Sequence, residues 1–181
     1  YPDVRENGTK DADRRMSGQT MGTELLKQYI RDIPDFPRPG IVFKDVTPLL
    51  RQPDMFAQAV SLLNDCFAGT RIDAVVCIES RGFLFGAALA LHRGCGLVIV
   101  RKKGKLPYKT YAQTYDLEYG TDTLEIHQDA IAPGESVVII DDLLATGGTT
   151  QAVIGLIERM RGRVIGAGYL IELTFLKGRE K

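Results

Sequence analysis

Four stretches of this chain are apolar at consecutive positions rather than at alternate ones: "IDAVVCIES" (72–80), "GLVIVRK" (96–102), "SVVIIDD" (136–142) and "RVIGAGYLIEL" (163–173). A strand with one wet face alternates apolar and polar residues, so a strand that does not alternate needs apolar cover on both sides. Helices that link parallel strands and pack on both faces of the sheet supply that cover. "RGFLFGAALALHR" (81–93) reads as one such helix, and residues 148–160 as another. The chain therefore predicts an α/β fold with a mostly parallel central sheet flanked by helices. Hydrophobic residues make up 44% of the composition, enough for its core.

The remaining segments are less regular. Residues Thr23 to Asp32 predict a short amphipathic helix, with Leu25, Leu26, Tyr29 and Ile30 on one face and Thr23 as its cap. "IPDFPRPG" (33–40) carries three prolines and a glycine, which forbid regular structure. "IVFKDVTPLL" (41–50) predicts an extended piece and a turn, and Pro53 opens a helix to about Phe67. "YAQTYDLEY" (111–119) and "DTLEIHQ" (122–128) alternate roughly with period 2 and suit antiparallel strands. Residues 1–21 are polar and charged and have no signal-peptide-like apolar segment; they are expected to form a disordered tail. Residues 22–181 are expected to form one domain.

Charge and cysteine usage narrow the function classes. The 23 basic and 23 acidic residues balance, which argues against bulk nucleic-acid or membrane-surface binding. Local clusters must then recognise any anion. Cys66, Cys77 and Cys95 are odd in number and widely spaced, which suits buried thiols in a reducing compartment, so a cytoplasmic location is expected. No apolar run reaches the ~18 residues a membrane span needs.

The chemistry concentrates in "VVIIDDLLATGGTT" (137–150). In open α/β sheets ligands bind outside the carboxyl ends of the strands, where Asp141 and Asp142 fall. The following Ala145, Thr146, Gly147, Gly148 and Thr149 offer backbone N–H groups, hydroxyls and the positive end of a helix, which together suit a phosphate. It is not a Walker loop, because Gly-Lys-Ser/Thr is absent. A lone Gly-Gly would be an ordinary turn. Two acids beside Thr-Gly-Gly-Thr read instead as a sugar-phosphate site, with the phosphate in the loop and the ribose hydroxyls donating to the carboxylates. Two further clusters stand out: "ESRGF" (79–83) at a strand-to-helix junction, and "RKKGKLPYK" (101–109), with five basic residues in nine positions.

In these residues the chain resembles the type I phosphoribosyltransferases that act on purine bases. The stretches that carry the resemblance are "IPDFPRPGIVFKD" (33–45), "IESRGFLFG" (78–86), "RKKGKLP" (101–107), "YDLEYG" (115–120), "VVIIDDLLATGGTT" and "ELTFLKGREK" (172–181), so that it covers about residues 24–181. It implies the type I phosphoribosyltransferase fold with a small N-terminal hood (about 22–48) and a flexible lid loop (about 103–118). It also implies transfer of the phosphoribosyl group of phosphoribosyl pyrophosphate (PRPP) to a purine. In the branch these motifs match, the acceptor is adenine and the products are AMP and pyrophosphate.

The same resemblance distributes roles. Glu79, Ser80, Arg81, Lys102 and Lys105 would meet pyrophosphate, with a non-proline cis peptide at Glu79–Ser80. Glu118 would exchange the proton at the purine N7. Val42, Phe43, Lys44 and Leu143 would bind the base, with Phe43 stacking on its face. Magnesium would be held mainly by PRPP, with no direct protein ligand, and the enzyme would be a homodimer. Two alternatives remain open on the sequence: a phosphoribosyltransferase for another purine, and a PRPP-sensing regulator without catalysis.

Overall fold

The computed structural model describes residues 22–116 and 120–181. The expected N-terminal tail lies outside the described residues, as do Leu117 and Glu118 of the expected lid and the following Tyr119. The chain divides into two units, the first ending at Leu62 and the second running Leu63–Lys181.

The first unit holds helix α1 (22–27), strands β1 (Arg31–Ile33) and β2 (Phe43–Asp45), helix α2 (Thr47–Arg51) and most of α3 (Pro53–Asp65). The helix expected from Thr23 to Asp32 ends at residue 27, because Arg31 and Asp32 pair instead with β2. An ion pair of 2.6 Å between Lys44 and Asp32 reinforces that register. Where "VTPLL" predicted a turn, α2 forms: Pro48 sits in its first turn and Leu49 is fully buried. The proline-rich connection stays irregular as expected. Its Phe36–Pro37 peptide is cis, and Asp35 accepts a hydrogen bond from Gly40 N at 2.8 Å.

The second unit is built on a six-stranded sheet of order β5-β6-β4-β3-β7-β8. Strands β3 (Ala74–Ile78), β4 (Gly96–Lys102), β7 (Ser136–Leu144) and β8 (Arg163–Glu172) run parallel. Strands β5 (Thr110–Asp116) and β6 (Thr121–His127) form an antiparallel hairpin joined to β4 at Arg101↔Glu125 and Lys102↔Leu124. The two apolar faces have separate covers. Ala74, Val76, Ile78, Val137 and Ile139 share a core with Ala152, Val153, Leu156 and Ile157 of helix α5 (Gly148–Arg159). Val75 and Cys77 face the other way, onto helix α4 (Gly82–Arg93). There Gly86 approaches Cys77 so closely that any Cβ would overlap it. Burial pushes the Cys77 thiol up to about 12, so it serves as an inert core residue.

Strand β7 places the functional residues. Its pairing with β3 stops at Ile140, whereas its pairing with β8 continues to Leu144↔Glu172. Asp141 and Asp142 therefore remain in extended backbone, held on one flank and released on the other.

Candidate active site

Asp142 is buried, and Asp141 is partly covered. Asp141 Oδ1 accepts the backbone N–H of Asp142 at 2.8 Å. Asp142 Oδ2 lies 2.7 Å from Nε of Arg81, an ion pair without the alignment of a directed hydrogen bond. Arg81 stands at the start of α4, immediately after the Glu79–Ser80 peptide, which is cis as the sequence led us to expect. Burial, followed by the Asp142 charge, pushes the Asp141 carboxyl well above the ordinary carboxylate range. Gly82 is required here: a Cβ would come within 2.8 Å of Asp141 Oδ1 and 2.9 Å of the Ile140 carbonyl oxygen.

The loop after β7 has a matching constraint. Gly147 adopts φ +81°, and a Cβ on it would lie 2.6 Å from the Gly178 carbonyl oxygen. Gly178 in turn packs against the Ala145 carbonyl and Leu144, so the C-terminal 3₁₀ turns back the loop. No side chain caps the first turn of α5, which leaves its N–H groups directed at the loop. Burial raises the Tyr115 hydroxyl pKa and the neighbouring Thr149 side chain offsets part of that rise, and Thr150 Oγ1 lies 2.6 Å from the Tyr169 hydroxyl. Leu143 is half-buried, opposite Ile171.

At the carboxyl ends of β3 and β4 the charges are arranged differently. The Glu79 carboxylate accepts from Lys102 N at 3.0 Å and Arg101 Nε at 3.3 Å, and it is ion-paired with Lys105. Burial alone would raise its pKa, but the hydrogen bonds from Lys105, Lys102 N and Arg101 outweigh it and hold the group below the ordinary range. Glu125 accepts Gly104 N at 2.9 Å, and Asp122 pairs with Lys102 Nζ at 3.1 Å, which raises the Lys102 pKa. Sequence reasoning named none of Tyr115, Asp122 and Glu125. None carried a signal of its own: a charged Glu125 between Leu124 and Ile126 is what an alternating strand shows anyway.

Of the other expected residues, Ser80 is exposed, and its carbonyl accepts Phe83 N at 3.3 Å. In the first unit Val42 is exposed, Phe43 meets Phe36 edge-on at 5.2 Å, and Lys44 is engaged by Asp32. Glu118 lies outside the described residues. The second unit thus presents, on neighbouring strand ends, two acids, a glycine-bearing anion loop and a basic loop.

That arrangement suits a sugar-phosphate ligand, and the comparisons with known proteins give the family. The model of the phosphoribosyl transferase domain matches residues 45–178. An adenine phosphoribosyltransferase of Trichlorobacter lovleyi is 56% identical over 158 residues, 87% of this chain and 92% of the relative. The crystal structure of adenine phosphoribosyltransferase from Rhodothermus marinus superposes with a TM-score of 0.85 at 55% identity, covering 89% of this chain and 92% of that one. The Saccharomyces cerevisiae enzyme, complexed with an imino-altritol bisphosphate and adenine, gives a TM-score of 0.84 at 41% identity, covering 89% and 94%. The chain belongs to the phosphoribosyltransferase family and, within it, to the adenine phosphoribosyltransferases.

Proposed function

We propose the following assignment of residues for the reaction that family membership gives this chain: adenine and PRPP are converted to AMP and pyrophosphate in purine salvage. N9 of adenine bonds to C1 of the ribose as the bond from C1 to pyrophosphate breaks. Positive charge grows on the sugar, with Asp142 ionised beside Arg81 and Asp141 driven toward its ionised form by that growing charge against the burial that opposes it, while both accept the ribose hydroxyls. Residues 145–149 hold the 5-phosphate through backbone N–H groups and the Thr146 and Thr149 hydroxyls. Arg81, Lys102 and Lys105, with the backbone at Glu79–Ser80, receive the leaving pyrophosphate. Leu143 contributes to the base site, and Glu118 exchanges the proton at N7. The segment from about 103 to 118, of which Thr110–Asp116 is strand β5 rather than loop, acts as the lid that excludes water from the sugar cation.

The observation that carries this reading is the pair of carboxylates next to the glycine loop: Arg81 is ion-paired to Asp142, and Asp141, which accepts the Asp142 N–H, feels that guanidinium less than it feels burial and the second acid. A carboxylate so placed favours a group that brings both hydroxyl donors and positive charge, as the reacting ribose does.

The donor set also suits magnesium carried by the substrate. Among the described residues no three acids, histidines or cysteines converge, whereas magnesium is commonly held by one or two carboxylates plus substrate phosphates. Bound with PRPP, it would neutralise charge on the leaving group.

Two wider assignments belong with this reading. Leu84 and Leu91 of α4, seven residues apart, and Leu97 and Ile99 of β4 are exposed, which supports a homodimer through that face. No helix among the described residues is long and apolar enough to cross a membrane, and we place the enzyme in the cytoplasm.

Turnover with PRPP and each of adenine, hypoxanthine, guanine and xanthine tests the base. Adenine should be the preferred acceptor, and failure to turn it over refutes the assignment. Glu118→Ala should lower kcat far more than it raises KM for PRPP; normal turnover with weakened PRPP binding would remove Glu118 from the chemistry.

A further inference from the structure

Every described cation assigned above to pyrophosphate already faces a protein carboxylate. Arg81 faces Asp142 at 2.7 Å, Lys102 faces Asp122 at 3.1 Å, and Lys105 pairs with Glu79, which also takes Arg101 Nε at 3.3 Å. The Glu79 side chain is 8% exposed, whereas that of Lys105 is 45% exposed. Glu79 is thus fixed from behind, and Lys105 has a second side open to solvent. An ionised carboxylate cannot accept from a pyrophosphate oxygen; it repels one. Its three donors keep Glu79 ionised at neutral pH. Sequence reasoning counted Glu79 among the pyrophosphate-binding residues, but its side chain can act there only against the anion.

We propose that the Glu79 carboxylate is an intramolecular competitor for pyrophosphate, sharing Lys105 and Arg101 with it, so that the anion binds by exchange and its release is eased. This rests on the assignment of residues 79–81 and 101–105 to pyrophosphate. Glu79 acts through the cations and is a positioning residue. It orders the basic loop, since Lys102 N and the side chains of Arg101 and Lys105 converge on it, while it subtracts from the loop's attraction for a polyanion. A purely structural glutamate would have the opposite consequence: its loss would disorder the loop and weaken anion binding.

The test is titration of the full chain with magnesium pyrophosphate, and separately with AMP, followed by calorimetry and by inhibition of the forward reaction. Glu79→Gln keeps the side-chain shape and removes the charge. It should tighten pyrophosphate binding roughly three- to tenfold, the scale of a partly buried ion pair, and leave AMP affinity unchanged. Unchanged or weaker pyrophosphate binding, with AMP binding intact, overturns the proposal. Should Glu79→Gln not fold, Glu79→Asp draws the carboxylate back from Lys105 and should give a smaller gain in the same direction; no gain again overturns it. Lys105→Met separates this inference from the assignment beneath it. If Lys105→Met weakens pyrophosphate binding while Glu79→Gln does not strengthen it, the competition alone is wrong. If Lys105→Met has no effect, the basic loop does not bind pyrophosphate, and both ideas fall.

Discussion

Asp141 and Glu79 are covered carboxylates at the ends of adjacent parallel strands, and their acidities move in opposite directions. Glu79 has two cationic side chains and a backbone N–H directed at it, so hydrogen bonding and attraction outweigh burial. Asp141 has one backbone N–H and a second acid beside it, and the Arg81 guanidinium is engaged by Asp142. Burial then dominates. Glu79 is satisfied by the protein and organises its neighbours. Asp141 is left to be satisfied by whatever binds, and its desolvation is a cost to folding kept at the place where a sugar cation would benefit from it.

The largest expected effect tests this contrast directly. Asp141→Asn should reduce kcat/KM by about 100-fold or more, the scale of losing one preorganised electrostatic contact. The same change should raise the melting temperature at neutral pH. A folded pKa above the unfolded one means the native state holds more protons between the two values, so stability falls as pH rises through that window. Thermal melts above the ordinary carboxylate range should show this slope in the parent and not in Asp141→Asn. A lower melting temperature for the variant would mean that Asp141 is already compensated and would break the comparison.

Gly147→Ala comes next. A positive φ and a carbonyl oxygen 2.6 Å from the new Cβ should cost ~1–3 kcal/mol, read by denaturant unfolding, and AMP affinity should fall with it. Normal AMP binding would show that the loop can reshape without loss of its anion site. Glu125→Gln replaces the buried acceptor of Gly104 N and should cost about 1 kcal/mol, with a rise in KM for PRPP and little change in kcat. A change in kcat alone would move Glu125 from the ordering of the loop to the chemistry. The smallest effect is expected for Tyr115→Phe, which removes the hydroxyl beside Thr149 and should cost ~0.5 kcal/mol, measured by unfolding. No change in AMP affinity would mean that Thr149 is positioned by its helix alone.

Much of this was legible in the sequence because it is local. Non-alternating strands, the glycines of the loop and the helices after "ESRGF" and "GGTT" each depend on a few neighbouring residues. Strand β4 matches its predicted bounds, and α5 ends one residue before the expected Met160. Apart from α2, where burial of Leu49 turned an expected turn into a helix, the errors lie where a pairing partner outweighed local preference. Arg31 and Asp32 continue the amphipathic pattern of residues 23–30 but are drawn into β1 by Lys44 and Asp45. Asp122 and Glu125 read as ordinary residues of an alternating strand, and only the meeting of β6 with β4 brings them to the basic loop.

By itself, the sequence determined the α/β layering, the position of the acids and phosphate loop at a strand end, and the family. Those properties follow from burial periodicity and from backbone freedom at particular glycines, both set within a turn or a strand. Only the tertiary structure decided which charge meets which. Lys105 reaches Glu79 across 26 positions of chain, and Arg81 and Lys102 find Asp142 and Asp122 through the strand order β6-β4-β3-β7. A carboxylate's acidity is the sum of burial and of all nearby charges, so the opposite states of Asp141 and Glu79 arise from the folded neighbourhood, not from the residue type.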